Sequence, residues 1–485
     1  MNDLIISLDA KASEPLYEQI CNYFRQEIQD GRLAAGKRLP SSRVLAGNLE
    51  VSRSTVDLAY DQLVSEGYIE SIPCKGYYVC EIDGLYYSIM GGKTPAVGEN
   101  AEKKTNRSKI QESGSKDQVF DCDFALNGIA PGSFPHNIWR KLSKQVLTEA
   151  QDSLFALGDP CGELSLREAI AEYLYHARGV ACLPEQILVG AGNDYLLMLL
   201  CTILGEGHMI AMENPTYKSA WHDFGHMGFV RCTAGQDELG LKVNELEETG
   251  ADMVYVMPSH QFPMGTVMPL KRRLSLLKWA ARGERYIIED DYDSEFRYKG
   301  KPIPALQGYD KEEKVIYLGT FSKSIAPSIR ISYMVLPKNL MKKYLEEGMP
   351  FSVTVSKADQ KILELFLREG HYERHLNRMR SLYKSRHDML LRWLKEKMGD
   401  ICACFGENAG VHLLLRFTNG FTEEEAVEQA KRHGVRVYGL SEFLMEKEEQ
   451  EPNLPPTVLM GYATLTEEKM RDGMQKLEKA WKESS

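Results

Sequence analysis

At 485 residues the chain is too long for one ordinary core, so two or three domains are expected. Its 43% hydrophobic and 26% charged residues are those of a soluble globular protein, and its net charge of −10 does not advertise nucleic-acid binding, which leaves any such role to a local basic patch. The longest apolar run, Tyr195–Leu204, is about half of a membrane span, and Met1–Ile6 lacks a basic n-region. No membrane role is therefore expected, and the ten cysteines, scattered without framework spacing, read as reduced thiols in a cytoplasm.

Residues 12–80 form the first predicted unit. Leu16, Ile20, Phe24 and Ile28 fall on one helical face, and Gly31 ends that helix. A turn at Gly36–Arg43 leads into a second helix, about Ser42 to Leu49, with Ser41 or Ser42 as its N-cap. The chain breaks at Glu50-Val51-Ser52, and Ser52 caps a third helix that Gly67 closes. Tyr68–Ile72 and Gly76–Cys80 alternate like a hairpin around Pro73-Cys74-Lys75-Gly76. A leading helix, two helices about a tight turn and a hairpin make the pattern of a winged helix-turn-helix, whose third helix enters the major groove by its N-terminal end. Ser52, Arg53, Ser54 and Thr55 sit at that end, and Arg53 is the base-reading residue, since arginine pairs bidentately with guanine. Lys37, Arg38 and Arg43 suit phosphates, while Lys75 and Gly76 would reach the minor groove or backbone. Five basic residues stand between Arg32 and Arg53 against one acid, Glu50. The alternative use of such a unit is protein docking.

Residues 81–118 are polar, with glycine, serine and charge, and read as a flexible linker. From Val119 strands and helices alternate, which predicts an α/β unit, 119–485, with a mostly parallel sheet and a small C-terminal lobe at about 340–485. Ile187–Gly192 followed by Asn193 and Asp194 is a strand, a small turn and a helix start, and N–H groups at a helix N-terminus bind phosphate. Gly192 and Asn193 are assigned to a phosphate through main chain, with the Asp194 side chain turned away; a mere tight connection is the alternative. Arg285–Asp293 is a strand ending in Glu289, Asp290, Asp291 and Tyr292. Val315–Leu318 runs into Gly319-Thr320-Phe321-Ser322-Lys323, with Arg330 seven residues beyond the lysine. A lysine whose pKa is lowered by burial forms a Schiff base with an aldehyde. Thr320 and Ser322 add hydroxyls, and Arg330 adds a fork for phosphate. Together these suit pyridoxal 5'-phosphate (PLP), with Asp290 at the ring nitrogen and Tyr292 at the ring oxygen.

The motifs G-T-F-S-K-x-x-x-P-x-x-R and E-D-D-Y-D-S-E-F-R-Y, with P-L-Y-x-Q-I, R-L-P-S-S-R and V-S-R-x-T-V upstream, resemble the MocR subfamily of GntR transcriptional regulators. The resemblance covers nearly the whole chain except the linker. It implies a winged helix joined to a fold-type I aminotransferase-like PLP domain, a PLP Schiff base on Lys323, Tyr217 stacked on the pyridine ring, and a head-to-tail homodimer. Several positions depart from the family pattern. Glu50 stands where glycine is frequent, Pro73-Cys74-Lys75-Gly76 replaces a Gly/Ser-rich wing tip, Leu157 replaces a tyrosine that reaches the neighbouring subunit's phosphate, and Met264 replaces a threonine. Phe262 falls where true aminotransferases place an asparagine, and Pro455–Gly461 has no arginine for a substrate carboxylate; Arg436 is nearby in sequence but unplaced. The pairs His222/His226 and His371/His375 have i, i+4 spacing without a third ligand, so no metal site is expected.

The function expected is that of a PLP-dependent regulator that binds double-stranded operator DNA and senses an amine, an amino acid or PLP itself. The rival expectation is a genuine aminotransferase carrying a DNA-binding domain, and a third is a PLP-free repressor on the same scaffold.

Overall fold

The computed structural model describes residues 6, 8–9, 14–66, 68–72, 75–80, 120–149, 152–298, 303–346, 351–407, 409–445 and 454–482. The expected linker lies outside these residues, as do Gly67, Pro73 and Cys74. The chain divides into two compact units, Met1–Ser113 and Gly114–Ser485.

In the first unit, helices Leu16–Gln29, Ser42–Leu49 and Arg53–Ser65 pack around Ile20, Phe24, Leu45, Val56, Tyr60 and Leu63. The apolar face of each helix recurs at three- and four-residue steps, so burying it fixes the three-helix arrangement. Ser41, not Ser42, caps the second helix through the Val44 N–H, and Ser42 is buried. Ser52 caps the third through the Thr55 N–H. Between them Glu50 adopts φ 54°, the left-handed conformation that ends the second helix and that glycine tolerates best. The hairpin pairs Ile69–Ile72 with Gly76–Val79. Residues 37–39 extend it, with the Leu39 N–H donating to Tyr77 O and the Val79 N–H to Lys37 O.

The second unit is built on a seven-stranded sheet in the order Ile187–Gly190, Ser332–Val335, Val315–Thr320, Tyr286–Asp291, Met253–Val256, Met209–Glu213 and Val230–Ala234. All strands run parallel except Ser332–Val335. This is the doubly covered α/β layer predicted from the strand–helix alternation, and such a layer carries its site at the carboxyl ends of the strands. One face packs on helices Asn193–Leu204, Lys218–His226 and Lys338–Glu346. The other face is covered by Leu164–Arg178, Leu270–Ala281 and Lys357–Arg368, among others.

A four-stranded antiparallel sheet, Cys402–Phe405, His412–Phe417, Thr457–Gly461 and Tyr438–Gly439, forms the small lobe with helices Glu423–Arg432 and Glu467–Lys482. Cys122 and Phe124 join its core from the front of the unit. Leu340, Met341, Tyr344 and Ile362 pack in the layers of the seven-stranded sheet. The helix His371–Trp393 joins the lobes: Tyr372 and Leu376 belong to the large-lobe core, Met379, Tyr383 and Leu390 to the small-lobe core. No helix among the described residues is long and apolar enough to cross a membrane.

Candidate functional site

The carboxyl ends of the parallel strands open into a cavity of about 580 Å³. Lys323, Asp290, Tyr292, Tyr217, Asn193, Thr320, Ser322 and Arg330 all line it, so residues spread over more than a hundred positions meet at one place.

Lys323 lies within the turn that follows Val315–Thr320. The Thr320 hydroxyl shapes that turn by accepting from the Ser322 N–H at 3.1 Å and from the Ser332 hydroxyl at 2.8 Å. The Lys323 amine donates to Leu126 O at 3.0 Å and to Asn127 Oδ1 at 2.8 Å. Desolvation pulls its pKa down to about 8, against the opposing pull of Asp293. The turn is gripped from behind. Tyr372 Oη donates to Ser324 Oγ at 2.9 Å, and His375 Nε2 lies 2.8 Å from Ser324 O. His375 thus holds the lysine's neighbour. His222 and His226 stack on each other at 6.3 Å.

The strand Tyr286–Asp291 ends in three acids, and its two-residue alternation sends them to different faces. Glu289 accepts the N–H groups of Leu306 and Gln307. Asp291 pairs with Arg178 at 2.7 Å and accepts from Tyr317 at 2.6 Å. Only Asp290 of the three lines the cavity. It is buried, accepts a hydrogen bond from Tyr255, and lies 3.4 Å from Asn193 Nδ2. Burial raises its pKa to about 7, partly offset by the Tyr255 bond. A carboxyl poised this way shares a proton with a ring nitrogen instead of resting as a bare carboxylate.

The opposite wall suits a phosphate. Helix Asn193–Leu204 starts after Gly192, at φ 100°. A Cβ on Gly192 would sit 2.5 Å from the Arg330 Cζ, so the guanidinium packs directly against the glycine. Gly192 itself is not among the lining residues. The Asp194 side chain does not turn away as expected: its carboxylate faces Arg330 Nη2 at 3.3 Å, drawn by the opposite charge. The Asn193 amide serves Asp290, and its Oδ1 is buried without a partner among the described residues.

Tyr292 is fixed by a buried pair absent from the sequence-based assignments. His260 Nδ1 lies 2.9 and 3.1 Å from the Asp293 carboxylate oxygens and 3.0 Å from the Tyr292 hydroxyl. Gly410 packs against the His260 ring, and a Cβ there would fall 2.7 Å from Nδ1. Tyr255, Asn127 and this pair are the site residues that sequence reasoning missed. A tyrosine inside the apolar strand Met253–Val256 was a visible signal for the first. Nothing in the sequence ties Asn127 to a lysine 196 positions away.

These residues fit PLP. An amine, a proton-holding carboxyl, a ring-sized aromatic wall and a helix N-terminus beside an arginine match the cofactor's aldehyde, ring nitrogen, ring face and phosphate.

In the winged unit the third helix exposes its N-terminal end. Arg53 is 67% exposed and lies 3.4 Å from Asp57. The Ser52 hydroxyl bonds to those of Ser54 and Thr55 there, so Ser52 is engaged as the cap. Lys37, Arg38, Arg43 and Lys75 are exposed. Arg38 pairs with Tyr78 through its backbone, and its guanidinium packs near Gly76. Arg32, counted above among the basic residues, is neutralised by Glu27 at 2.7 Å and Asp30 at 2.5 Å.

Comparison with known proteins bears on both units. Residues 16–79 match the family of bacterial regulatory proteins, gntR family, and residues 130–477 match aminotransferase class I and II. The uncharacterized HTH-type transcriptional regulator YdeL of Bacillus subtilis is 39% identical over 99% of this chain and 100% of its own length. The probable rhizopine catabolism regulatory protein MocR of Rhizobium meliloti is 32% identical over 98% of this chain and 96% of its own. Among solved structures, kynurenine aminotransferase of Pyrococcus horikoshii, in complex with PMP, superposes with a TM-score of 0.67 at 26% identity over 76% of this chain and 92% of its own. With both family models matched in this order and relatives of the same span, the chain belongs to the MocR-type GntR transcriptional regulators, in which a helix-turn-helix unit precedes a class I and II aminotransferase domain.

Proposed function

We propose that this regulator binds PLP in the large-unit cavity and uses it to sense an amine, an amino acid or PLP itself, while the winged unit reads operator DNA. The observation that carries the reading is the convergence of the Lys323 amine and the Asp290 carboxyl on one cavity, with both pKa values drawn toward neutrality. PLP, when bound, supplies an aldehyde carbon to an amine and a ring that withdraws electrons. Lys323 presents its amine to that carbon, partly unprotonated near neutral pH because it is desolvated. Asp290 holds the proton at the ring nitrogen, with Tyr255 as its hydrogen-bond donor. Tyr292, braced by His260 and Asp293, faces the ring oxygen, and Tyr217 covers the ring. The N–H of Asn193, the side chains of Thr320 and Ser322, and Arg330 hold the phosphate, while the Gly192 N–H is taken by Gly190 O at 2.9 Å.

A ligand amine bound in place of the Lys323 amine would leave the lysine free and with it the turn that Ser324 ties to Tyr372 and His375. Those two residues begin the helix that joins the lobes, so occupancy biases one lobe against the other. A head-to-tail homodimer completes the reading. Phe155 and Leu157, 75% and 80% exposed beside the Gly158–Gly162 segment, supply an apolar patch for it.

The test is the visible absorption spectrum of the purified protein, with Lys323→Ala alongside, before and after a panel of amines. A band lost in the variant and shifted persistently by a ligand supports a sensor. Conversion to the pyridoxamine form with release of a keto product supports a genuine aminotransferase instead. Absence of any band after adding PLP refutes the cofactor reading and leaves the DNA-binding unit untouched.

A further inference from the structure

The residues assigned above share the cavity with an apolar group. Beside Tyr217, Tyr292 and Lys323 stands an aromatic and aliphatic wall made by Leu126, Phe262, Tyr438 and Phe443. Phe262 stands at its centre. Its ring meets Phe443 edge-on at 5.1 Å and 90°, His412 at 5.5 Å, Tyr292 at 6.2 Å and Tyr217 at 6.3 Å. Buried Leu414, Leu440 and Leu459 back this wall, so the apolar character continues behind the surface. Phe443 is anchored by its backbone, since its carbonyl accepts from the Thr216 N–H at 3.2 Å, and its side chain is left to face the cavity.

The charges that line the cavity are unevenly placed. Arg330 lies at the phosphate end beside Asp194, and Lys218 follows the ring-covering Tyr217. Glu442 and not a cation accompanies Phe443 and Tyr438. Two arginines of the small lobe are held in cation–π contacts. Arg436 covers Tyr438 at 4.9 Å and reaches Asp123 at 3.9 Å, and Arg416 covers Phe405 at 4.3 Å. Neither lines the cavity.

Resting on the cofactor reading above, we propose that this site selects a primary amine with an apolar body of aromatic size and no carboxylate on the carbon that bears the nitrogen. Edge-on rings around Phe262 favour a flat apolar group over a polar one. A carboxylate brought into the same space would lose its hydration against phenyl and leucyl side chains, a cost that apolar packing does not repay. A site discriminates strongly when the wrong ligand buries a polar group without a partner. The Glu442 carboxylate at the rim adds repulsion of anions and attraction of ammonium groups approaching the cavity.

The experiment uses the full chain loaded with PLP and compares 2-phenylethylamine with L-phenylalanine, which differ by the carboxylate alone. Each is titrated while the visible band and the thermal midpoint are followed. The inference expects 2-phenylethylamine to half-saturate at a concentration at least about tenfold lower than L-phenylalanine, a gap of about 1.4 kcal/mol. It also expects Phe443→Ala, with Phe443→Leu as the milder variant, to raise the 2-phenylethylamine value about tenfold while the starting band persists. L-Phenylalanine binding as tightly as the amine would overturn it, and so would a preference for L-phenylalanine that Lys218→Met removes, because Lys218 would then be a carboxylate clamp. An unchanged titration in both Phe443 variants also overturns it. A protein with no Lys323-dependent band at all marks the separate failure of the cofactor reading.

Discussion

Replacing Asp290 with asparagine separates the cost of a buried carboxyl from its use. Asp290 is 5% exposed, with Asp291 and Asp293 adding unfavourable charge, and its pKa stands at about 7 against an ordinary 3.8. Holding the ionised form in that environment costs roughly 4 kcal/mol. The sign follows from proton binding. Below about pH 4 the group is protonated in both folded and unfolded chains, and nothing is lost. Between about pH 4 and 7 the unfolded chain ionises while the folded one keeps its proton, so stability falls as pH rises; above pH 7 the loss is complete. Asparagine never ionises and removes this loss, and the Tyr255 bond to the carboxylate is already contained in the raised pKa. In the cofactor-free protein the variant should be more stable by about 4 kcal/mol at pH 8 and by about 1 to 2 kcal/mol at pH 5, with the other buried acids, Glu213, Glu289 and Glu295, cancelling in the comparison. Denaturant midpoints at the two pH values measure this. The same variant should retain PLP at least about tenfold less well, because an amide cannot hold the ring-nitrogen proton as a carboxyl does. Equal destabilisation at both pH values, with PLP retained, would refute the placement of Asp290 as a poised acid.

Three other substitutions probe separate parts of the molecule. Gly192→Ala puts a methyl into the Arg330 guanidinium at a residue with φ 100°, so PLP retention measured by the visible band should drop at least about tenfold while DNA binding persists. Glu50→Gly relieves a left-handed glutamate and should stabilise the winged unit by about 0.5 to 1 kcal/mol in thermal melts; a loss of stability would contradict the helix-end geometry. Arg53→Ala should remove specific binding at the promoter beside the gene, a loss of about 1 to 3 kcal/mol at the base pair it reads, with cofactor binding unchanged. An unaltered footprint would reject the third helix as the recognition element.

Local chemistry made much of this protein legible before its structure. Capping serines, a broken helix at Glu50 and a two-residue alternation in the wing are short-range signals, and each depends on neighbours within a few positions. The two motif stretches around Asp290 and Lys323 were legible for the same reason, since each is a strand followed at once by its functional turn. Sequence reading placed Asp290 at the ring nitrogen without showing what claims its two neighbours. Arg178 and the Leu306 and Gln307 N–H groups claim Asp291 and Glu289 from distant segments.

What only tertiary structure decided are the pairings with no sequence periodicity to announce them. Asn127 and Leu126 hold Lys323, Tyr255 donates to Asp290, and Asp293 braces His260 against Tyr292. The turned-in Asp194 belongs here too, because a carboxylate follows the nearest cation and the position of Arg330 depends on the packing of a whole sheet. The sequence by itself therefore determined the elements, their order and the residue types that PLP and DNA require. The tertiary fold decided which polar atoms meet, because long-range contacts depend on how layers stack and not on the spacing of residues along one strand or helix.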